Sequence, residues 1–266
     1  MIFDRYVRRW NLVPDGVPIH TRSSDLLPVR LGDEAAMLKL ARSDEERVGH
    51  GLMVWWDGEG AARVLRQDGA ALLLERVEDD LSLTALVHSG QDDEASRILC
   101  GVAARLHLPR HRPLPELVSL ERWFGALEPA AGRYGGLLVD SAAAAAALLA
   151  EPQEVGLLHG DLHHANVLFS RSRGWLAIDP KGLVGERGFE YANIFCNPDL
   201  EVATTPGRLA RQSHLVARAA NLDRARLLRW VLAYAGLSAA WWLEDGEPEQ
   251  AEPVLEVASL AAAELL

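Results

Sequence analysis

Two cysteines in 266 residues leave little room for a disulfide framework. Cys100 lies in the apolar run Ile98-Leu99-Cys100-Gly101-Val102 and Cys196 follows Ile194-Phe195, so both read as small buried hydrophobes of a chain kept in a reducing cytoplasm. Long apolar runs are missing too. The longest uncharged stretch, Trp230 to Leu243, has 14 residues, short of the roughly 20 that span a bilayer. The opening MIFDRYVRRW is charged throughout and has no apolar centre, so it does not read as a signal peptide. Positive charge is scarce: 27 Lys and Arg stand against 38 Asp and Glu, a net charge of −11. That balance repels nucleic acid and anionic membrane and suits a cationic small-molecule partner. With 49% hydrophobic and 24% charged residues, the chain can bury a full core, in one large domain or two small lobes. Between Val17 and Lys39 there is no G-x-G-x-x-G.

What is present is concentrated in HGDLHHANVLFSRSRGWLAIDP, His159 to Pro180, where Asp161 stands five residues before Asn166 and eighteen before Asp179. Two apolar runs, Val167-Leu168-Phe169 and Trp175-Leu176-Ala177-Ile178, flank a polar turn ending in Gly174. The pattern is loop, strand, turn, strand, with Asp179 at the exit of the second strand. A loop acid, a nearby amide and a hairpin-end acid can converge on one point. Phosphoryl transfer from ATP requires such a set: one carboxylate orients the attacking hydroxyl, while an amide and a second carboxylate hold Mg²⁺. Mg²⁺ takes oxygen ligands and keeps several waters, so two protein ligands suffice. Asp161 is then the candidate base, and Asn166 and Asp179 are the candidate metal ligands.

H-G-D-L-x-x-x-N followed by I-D resembles the catalytic signature of the aminoglycoside phosphotransferases and related small-molecule kinases. Protein kinases carry H-R-D-L-x-x-x-N and then D-F-G. Gly160 in place of that Arg, and Asp179-Pro180 in place of D-F, point away from protein kinases. The string Ile178-Asp179-Pro180-Lys181-Gly182-Leu183-Val184-Gly185-Glu186, and Leu237-Ser238-Ala239-Ala240-Trp241 further on, are similar to the streptomycin 6-phosphotransferase and hydroxyurea-resistance kinase branch. The resemblance runs from Lys39 to about Trp242. It implies an α+β, two-lobe protein-kinase-like fold: a small, mostly β nucleotide-binding N-lobe over residues 1–78 and a larger, mostly helical catalytic and substrate-binding C-lobe over residues 79–266. It implies ATP and Mg²⁺ as cofactors and a hydroxyl of an aminoglycoside such as streptomycin as acceptor, with hydroxyurea or another small amino alcohol or sugar as the alternative.

The residue pattern agrees with two lobes. Candidate strands are Val17–Arg22, Leu26–Leu31 and Ala35–Leu40, followed by a helix from Ser43 and a hairpin around Gln67-Asp68-Gly69. The acidic patch Glu78-Asp79-Asp80 is taken as the hinge. Helices are expected over 91–107, over 142–150 with Ser141 as cap, and over 207–220, 223–243 and 250–266. Lys39 stands in the apolar strand Met37-Leu38-Lys39-Leu40, where it needs a partner. In a kinase-like fold the partner is the nucleotide phosphates, helped by a helix glutamate. Glu46 is that candidate, yet Ser43-Asp44-Glu45-Glu46 is also a capping box, and a glutamate closing the box would not reach Lys39.

Ser23 and Ser24, at the first hairpin tip, can offer donors to phosphate, and the adenine is expected against backbone near Glu75 to Val77. His163 occupies the place of a protein-kinase loop lysine and is a candidate for the γ-phosphate. His159 reads as a residue that fixes the loop. Leu243-Glu244-Asp245-Gly246-Glu247-Pro248-Glu249 gathers four carboxylates beyond Trp241-Trp242. Because the resembling branch phosphorylates guanidinium-bearing streptomycin, Glu244 and Asp245 become candidate acceptor ligands. Two other readings compete. One is a metallohydrolase built on His159, Asp161, His163 and His164 with His107, His111 or His214. The other is a nucleotide-binding pseudokinase, against which the joint presence of Lys39, Asp161, Asn166 and Asp179 argues.

Overall fold

In the computed structural model, which describes residues 2–77 and 81–266, the first part of the chain runs α1 (Asp4–Trp10), β1 (Val13–Pro14), β2 (Ile19–His20), β3 (Ser24–Leu31), β4 (Glu34–Ala41), α2 (Asp44–Trp56), β5 (Val64–Asp68) and β6 (Ala71–Glu75). The strands form one antiparallel sheet in the order β1-β3-β4-β6-β5, with β2 also on β3. Side chains alternate across a strand. Ala36, Leu38 and Leu40 of β4 and Ala71 and Leu73 of β6 therefore share one face, packed with Phe3, Trp10 and Leu12. That packing is why α1, which no local pattern announces, forms: two aromatics seat it on the sheet. Lys39 and Leu72 take the opposite face, paired across β4 and β6.

The strand expected over Val17–Arg22 is reduced to two residues, and β3 begins at Ser24 rather than Leu26. The acidic patch 78–80, and with it the expected lobe boundary, lies outside the described residues.

The second part is mostly helical. It comprises α3 (Leu83–His88), α4 (Asp92–Leu106), β7 (Val118–Ser119), α5 (Leu120–Trp123), α6 (Leu127–Tyr134), α7 (Leu137–Ala150), β8 (Val155–Leu158), β9 (Val167–Ser170), β10 (Gly174–Ala177), β11 (Leu183–Glu186), α8 (Leu200–Ala203), α9 (Arg208–Ala220), α10 (Arg224–Glu244) and α11 (Pro248–Ala263). The hub is α10, buried almost throughout from Leu227 to Ala240. The helix α7 starts five residues before the expected Ala142, so Ser141 is no cap: it is fully buried in mid-helix, facing Gly236 of α10. One apolar core joins α2 (Leu52, Met53, Trp55, Trp56) and Leu72 and Leu74 of β6 to the helices of the second part.

Two small sheets lie where the parts meet. The hairpin β9–β10 pairs Val167 with Ala177, and β11 runs between β7 (parallel) and β8 (antiparallel). Cys100 is buried and Cys196 half-buried. Both are free, and burial pushes each thiol up to about 12. Among the described residues no helix is long and apolar enough to cross a membrane.

Candidate active site

The loop leaving β8 and the loop leaving β10 are stitched to each other. Lys181 N–H donates to the His159 carbonyl at 2.7 Å, and Ile178 N–H donates to the Asn166 carbonyl at 2.9 Å. His159 ties the same two loops through its ring. Its Nε2 is 2.8 Å from the Ile178 carbonyl, while Nδ1 accepts Asp161 N–H at 3.2 Å. The ring is fully buried and stacks on Trp56 of α2, centroids 5.9 Å apart. Gly160 has φ +82°, and a Cβ there would lie 2.6 Å from Leu183 Cγ, so the arginine of protein kinases has no room at this turn. From behind, Glu190 carries the loop. Its carboxylate accepts the N–H groups of His159 (2.7 Å) and Gly160 (2.9 Å) and bonds His107 Nε2 (3.0 Å).

This frame presents Asp161 between two amides. Asn193 Nδ2 donates to Oδ1 at 2.8 Å, and Asn166 Nδ2 donates to Oδ2 at 3.2 Å and to the Asp161 carbonyl at 2.9 Å. Burial, with Asp179 nearby, pushes the Asp161 carboxyl up to about 7, against the opposing pull of Lys181. Because the Asn166 nitrogen is spent on Asp161, its amide oxygen is the side left for a cation. Asp179 sits at φ +64°, a conformation that short polar side chains tolerate better than branched ones. Its half-exposed carboxylate bonds Lys39. Asn166 and Asp179 thus offer the hard oxygen donors that Mg²⁺ takes.

Lys39 comes from the centre of β4, nearly buried. Besides Asp179 it meets Glu46 Oε2 at 2.6 Å. The two competing roles of Glu46 are resolved by splitting the residue. Its backbone N–H is capped by Ser43 Oγ at 3.3 Å, while its carboxylate turns inward to Lys39, to Lys181 (3.0 Å) and to Ser24 Oγ (3.0 Å). Burial would raise the Glu46 pKa, but the two lysines hold it well below the usual carboxylate range. The helix α2 comes this close because Gly49 has no side chain. A Cβ there would lie 1.9 Å from the Pro180 carbonyl oxygen.

Other expected residues are placed differently. Ser24 opens β3 opposite Ala41, buried, and its hydroxyl donor is spent on Glu46 rather than offered at the tip. Ser23 remains at the tip, half-buried, its carbonyl accepting Arg42 N–H at 3.0 Å. The Glu75 carboxylate clamps Arg63 (backbone N–H at 2.7 Å) and Arg173 of the β9–β10 turn, and Val77 packs partly buried on the core. His163 lies beside Asp161, Nε2 to Oδ1 3.8 Å, where burial lowers its pKa to about 4. Glu244 and Asp245 end α10, and Asp245 is held by Arg22 Nη2 at 2.6 Å, an ion pair between the β2–β3 turn and the acidic turn.

The histidines do not assemble as a hydrolase site: His107 and His159 are committed to Glu190 and Ile178, His164 is buried, and His111 and His214 are exposed. Among the described residues no three His, Cys, Asp or Glu side chains group to hold a metal. Glu190, Asn193, Lys181 and Arg22 were not expected. Of these, Lys181 alone stands in one of the motif strings above.

A family model described as aminoglycoside/hydroxyurea antibiotic resistance kinase matches residues 9–246. A streptomycin 3''-kinase of Klebsiella pneumoniae is 49% identical over 265 residues, 98% of this chain and 99% of that one. A streptomycin 6-kinase of Streptomyces glaucescens is 34% identical over 262 residues, 92% of this chain and 83% of that one. The crystal structure of a thermostable mutant of aminoglycoside phosphotransferase APH(4)-Ia, in a ternary complex with ADP and hygromycin B, superposes with a TM-score of 0.71 at 13% identity, covering 98% of each chain.

Proposed function

The chain belongs to the aminoglycoside/hydroxyurea antibiotic resistance kinase family, and within it we propose that it transfers the γ-phosphoryl group of ATP to a hydroxyl of streptomycin, at the 3'' position. The observation that carries the reaction is the meeting of Asp161, fixed by two amides, with the buried Lys39–Glu46 pair that reaches Asp179. Asp161 orients the acceptor hydroxyl and takes its proton as the bond to phosphorus forms. A carboxyl group near 7 can do this at neutral pH, and a positioned base contributes about 10²- to 10⁴-fold. Lys39 holds the nucleotide phosphates, with Glu46 fixing its direction. Asn166 and Asp179 would hold Mg²⁺, which when bound neutralises phosphate charge. Residues 1–78 form the nucleotide lobe, with the adenine against backbone near Glu75 to Val77 and phosphate near Ser23. Residues 79–266 carry catalysis and the acceptor, whose guanidinium groups meet Glu244 and Asp245. The setting is the cytoplasm, where ATP is abundant.

The 3'' position is preferred over the 6 position because the 3''-kinase relative is identical at 49% of positions over nearly its whole length, against 34% for the 6-kinase. The family's description keeps hydroxyurea as a second acceptor. An ADP-release screen with Mg·ATP across streptomycin, hygromycin B, hydroxyurea and choline tests the reaction, and NMR of the product locates the phosphate. Streptomycin should give the highest kcat/KM, with phosphate at 3''. ADP release with hydroxyurea alone would move the chain to the other acceptor, and none with any acceptor would refute the reading.

A further inference from the structure

Glu46 holds two ammonium groups, and only one of them has a place in the reaction proposed above. Lys39 lies 2.6 Å from Oε2, and Lys181 lies 3.0 Å from Oε1. The second lysine is built in rather than adventitious. Its side chain is 18% exposed, its N–H is bonded to the His159 carbonyl, and its Cβ lies 3.3 Å from where a Cβ on Gly160 would stand. A second carboxylate, Glu45, meets the same ammonium at 3.2 Å.

Glu46 is only 2% exposed. A carboxylate that deep is strongly unfavourable without a partner. Yet Lys39 must also serve the nucleotide phosphates. Were Lys39 its only cation, Glu46 would hold it back, because each displacement toward phosphate would strip the buried charge. A second cation on the other oxygen removes that conflict.

We propose that Lys181 is a positioning residue, the standing counter-ion of Glu46, which leaves Lys39 free to engage the nucleotide phosphates. This rests on the assignment of Lys39 to those phosphates. The fixed backbone of residue 181 suits that role, since the ammonium is anchored from the loop beside Asp179, on the far oxygen of Glu46 from Lys39.

Lys181→Gln is the test, because glutamine keeps an N–H donor for Glu46 and removes the charge. KM for ATP should rise roughly tenfold, as expected for losing a charge-assisted bond, while KM for streptomycin stays within twofold. Lys181→Arg should restore the ATP value to within about threefold. The same exchange is made in the Glu46→Gln background, where the direction that Glu46 gives Lys39 is already lost, and this comparison also serves if Lys181→Gln alone does not fold. There Lys181→Gln should change ATP KM less than twofold, and a tenfold change means that Lys181 touches phosphate itself, which overturns the counter-ion role. An unchanged ATP KM in Lys181→Gln overturns it as well, provided that Lys39→Ala raises that KM. If Lys39→Ala does not, the phosphate role of Lys39 fails and the proposal with it.

Discussion

Glutamine at position 190 is a one-atom change with a calculable effect. The Glu190 carboxylate, 1% exposed, takes His159 N–H and His107 Nε2 on Oε2 and Gly160 N–H on Oε1. Glutamine keeps one acceptor oxygen. With that oxygen placed to serve His159 and His107, its amide nitrogen faces the Gly160 N–H, donor against donor. One buried N–H left without an acceptor costs about 1–3 kcal/mol, and the two remaining bonds lose their charge assistance. Relief of the buried charge offsets part of this, so a loss of about 2–4 kcal/mol is expected for Glu190→Gln. For a chain of this size that lowers Tm by roughly 4–16 °C.

The released bond belongs to the residue before Asp161, and small displacements of reacting groups reduce rates up to about 10²-fold. We therefore expect kcat to fall between ~10- and ~100-fold with KM for ATP unchanged, since Glu190 is buried behind the loop on His159, Gly160 and His107. Burial pushes the Glu190 carboxyl upward, but its bond to His107 and the neighbouring charge outweigh this and hold it below 4.5. A depressed carboxylate contributes fully above its unfolded pKa and is lost as pH falls through its folded pKa. The stability gap between wild type and variant should thus hold at pH 6–8 and close below about pH 4.5. Calorimetric unfolding and steady-state ADP release measure both effects. A Tm within about 1 °C of wild type together with kcat within twofold would refute the assignment of Glu190 as the loop's support.

Asp161→Asn should lower kcat at least ~10²-fold and leave ATP affinity within about threefold by titration calorimetry; a near-native rate removes Asp161 from the mechanism. His50, 3% exposed on α2, has no hydrogen-bond partner on either ring nitrogen, and burial next to Lys39 lowers its pKa to about 4. Its folded pKa lies below the unfolded 6.5, so it destabilises the fold as pH falls from 6.5 toward 4. Between pH 7 and 5.5 the wild type should lose about 1 kcal/mol more stability than His50→Leu, and parallel urea midpoints would contradict this. Glu244→Gln/Asp245→Asn should raise KM for streptomycin roughly three- to tenfold at low salt, less in high salt, and spare KM for ATP; an unchanged acceptor KM makes the acidic turn mere surface.

The catalytic loop is legible in the sequence because its chemistry is local. Asp161, Asn166 and Asp179 lie on one loop–hairpin unit, and the β9–β10 pairing follows from two short apolar runs and a turn. Lys39 is legible for a different reason: a lysine in an apolar strand needs a partner, and the one it finds, Glu46, is close by in the chain. What stays hidden is tertiary. Glu190 and Asn193 stand 31 and 32 residues beyond the atoms they bond, in a stretch of 3₁₀ turns, Arg187–Cys196, with no periodic pattern to flag it. The alanine run masks the start of α7 at Leu137, where Gly135-Gly136 mark the true break. Ser24 has the look of a tip residue because the β3 boundary depends on its register with β4, which local residues do not determine.

The two halves of the site also differ in how their charges are held, and this difference decides what a sequence can reveal. Lys39 and Glu46 are buried and paired, so each is costly to keep without its partner, and Lys39 stands out from the apolar neighbours of its strand. At the acidic turn, by contrast, the charges sit at the rim. Arg22 is 75% exposed and Asp245 34%, and such a pair is worth about 0–1 kcal/mol. An acidic turn of that kind is hard to tell from a surface that merely keeps the chain soluble. Yet the pair is instructive. The carboxylate already accepts a guanidinium, that of Arg22, in a pair at the surface. The reaction class is argued from buried chemistry, whereas the proposed acceptor rests on the relatives together with a carboxylate whose present partner has the functional group expected of that acceptor.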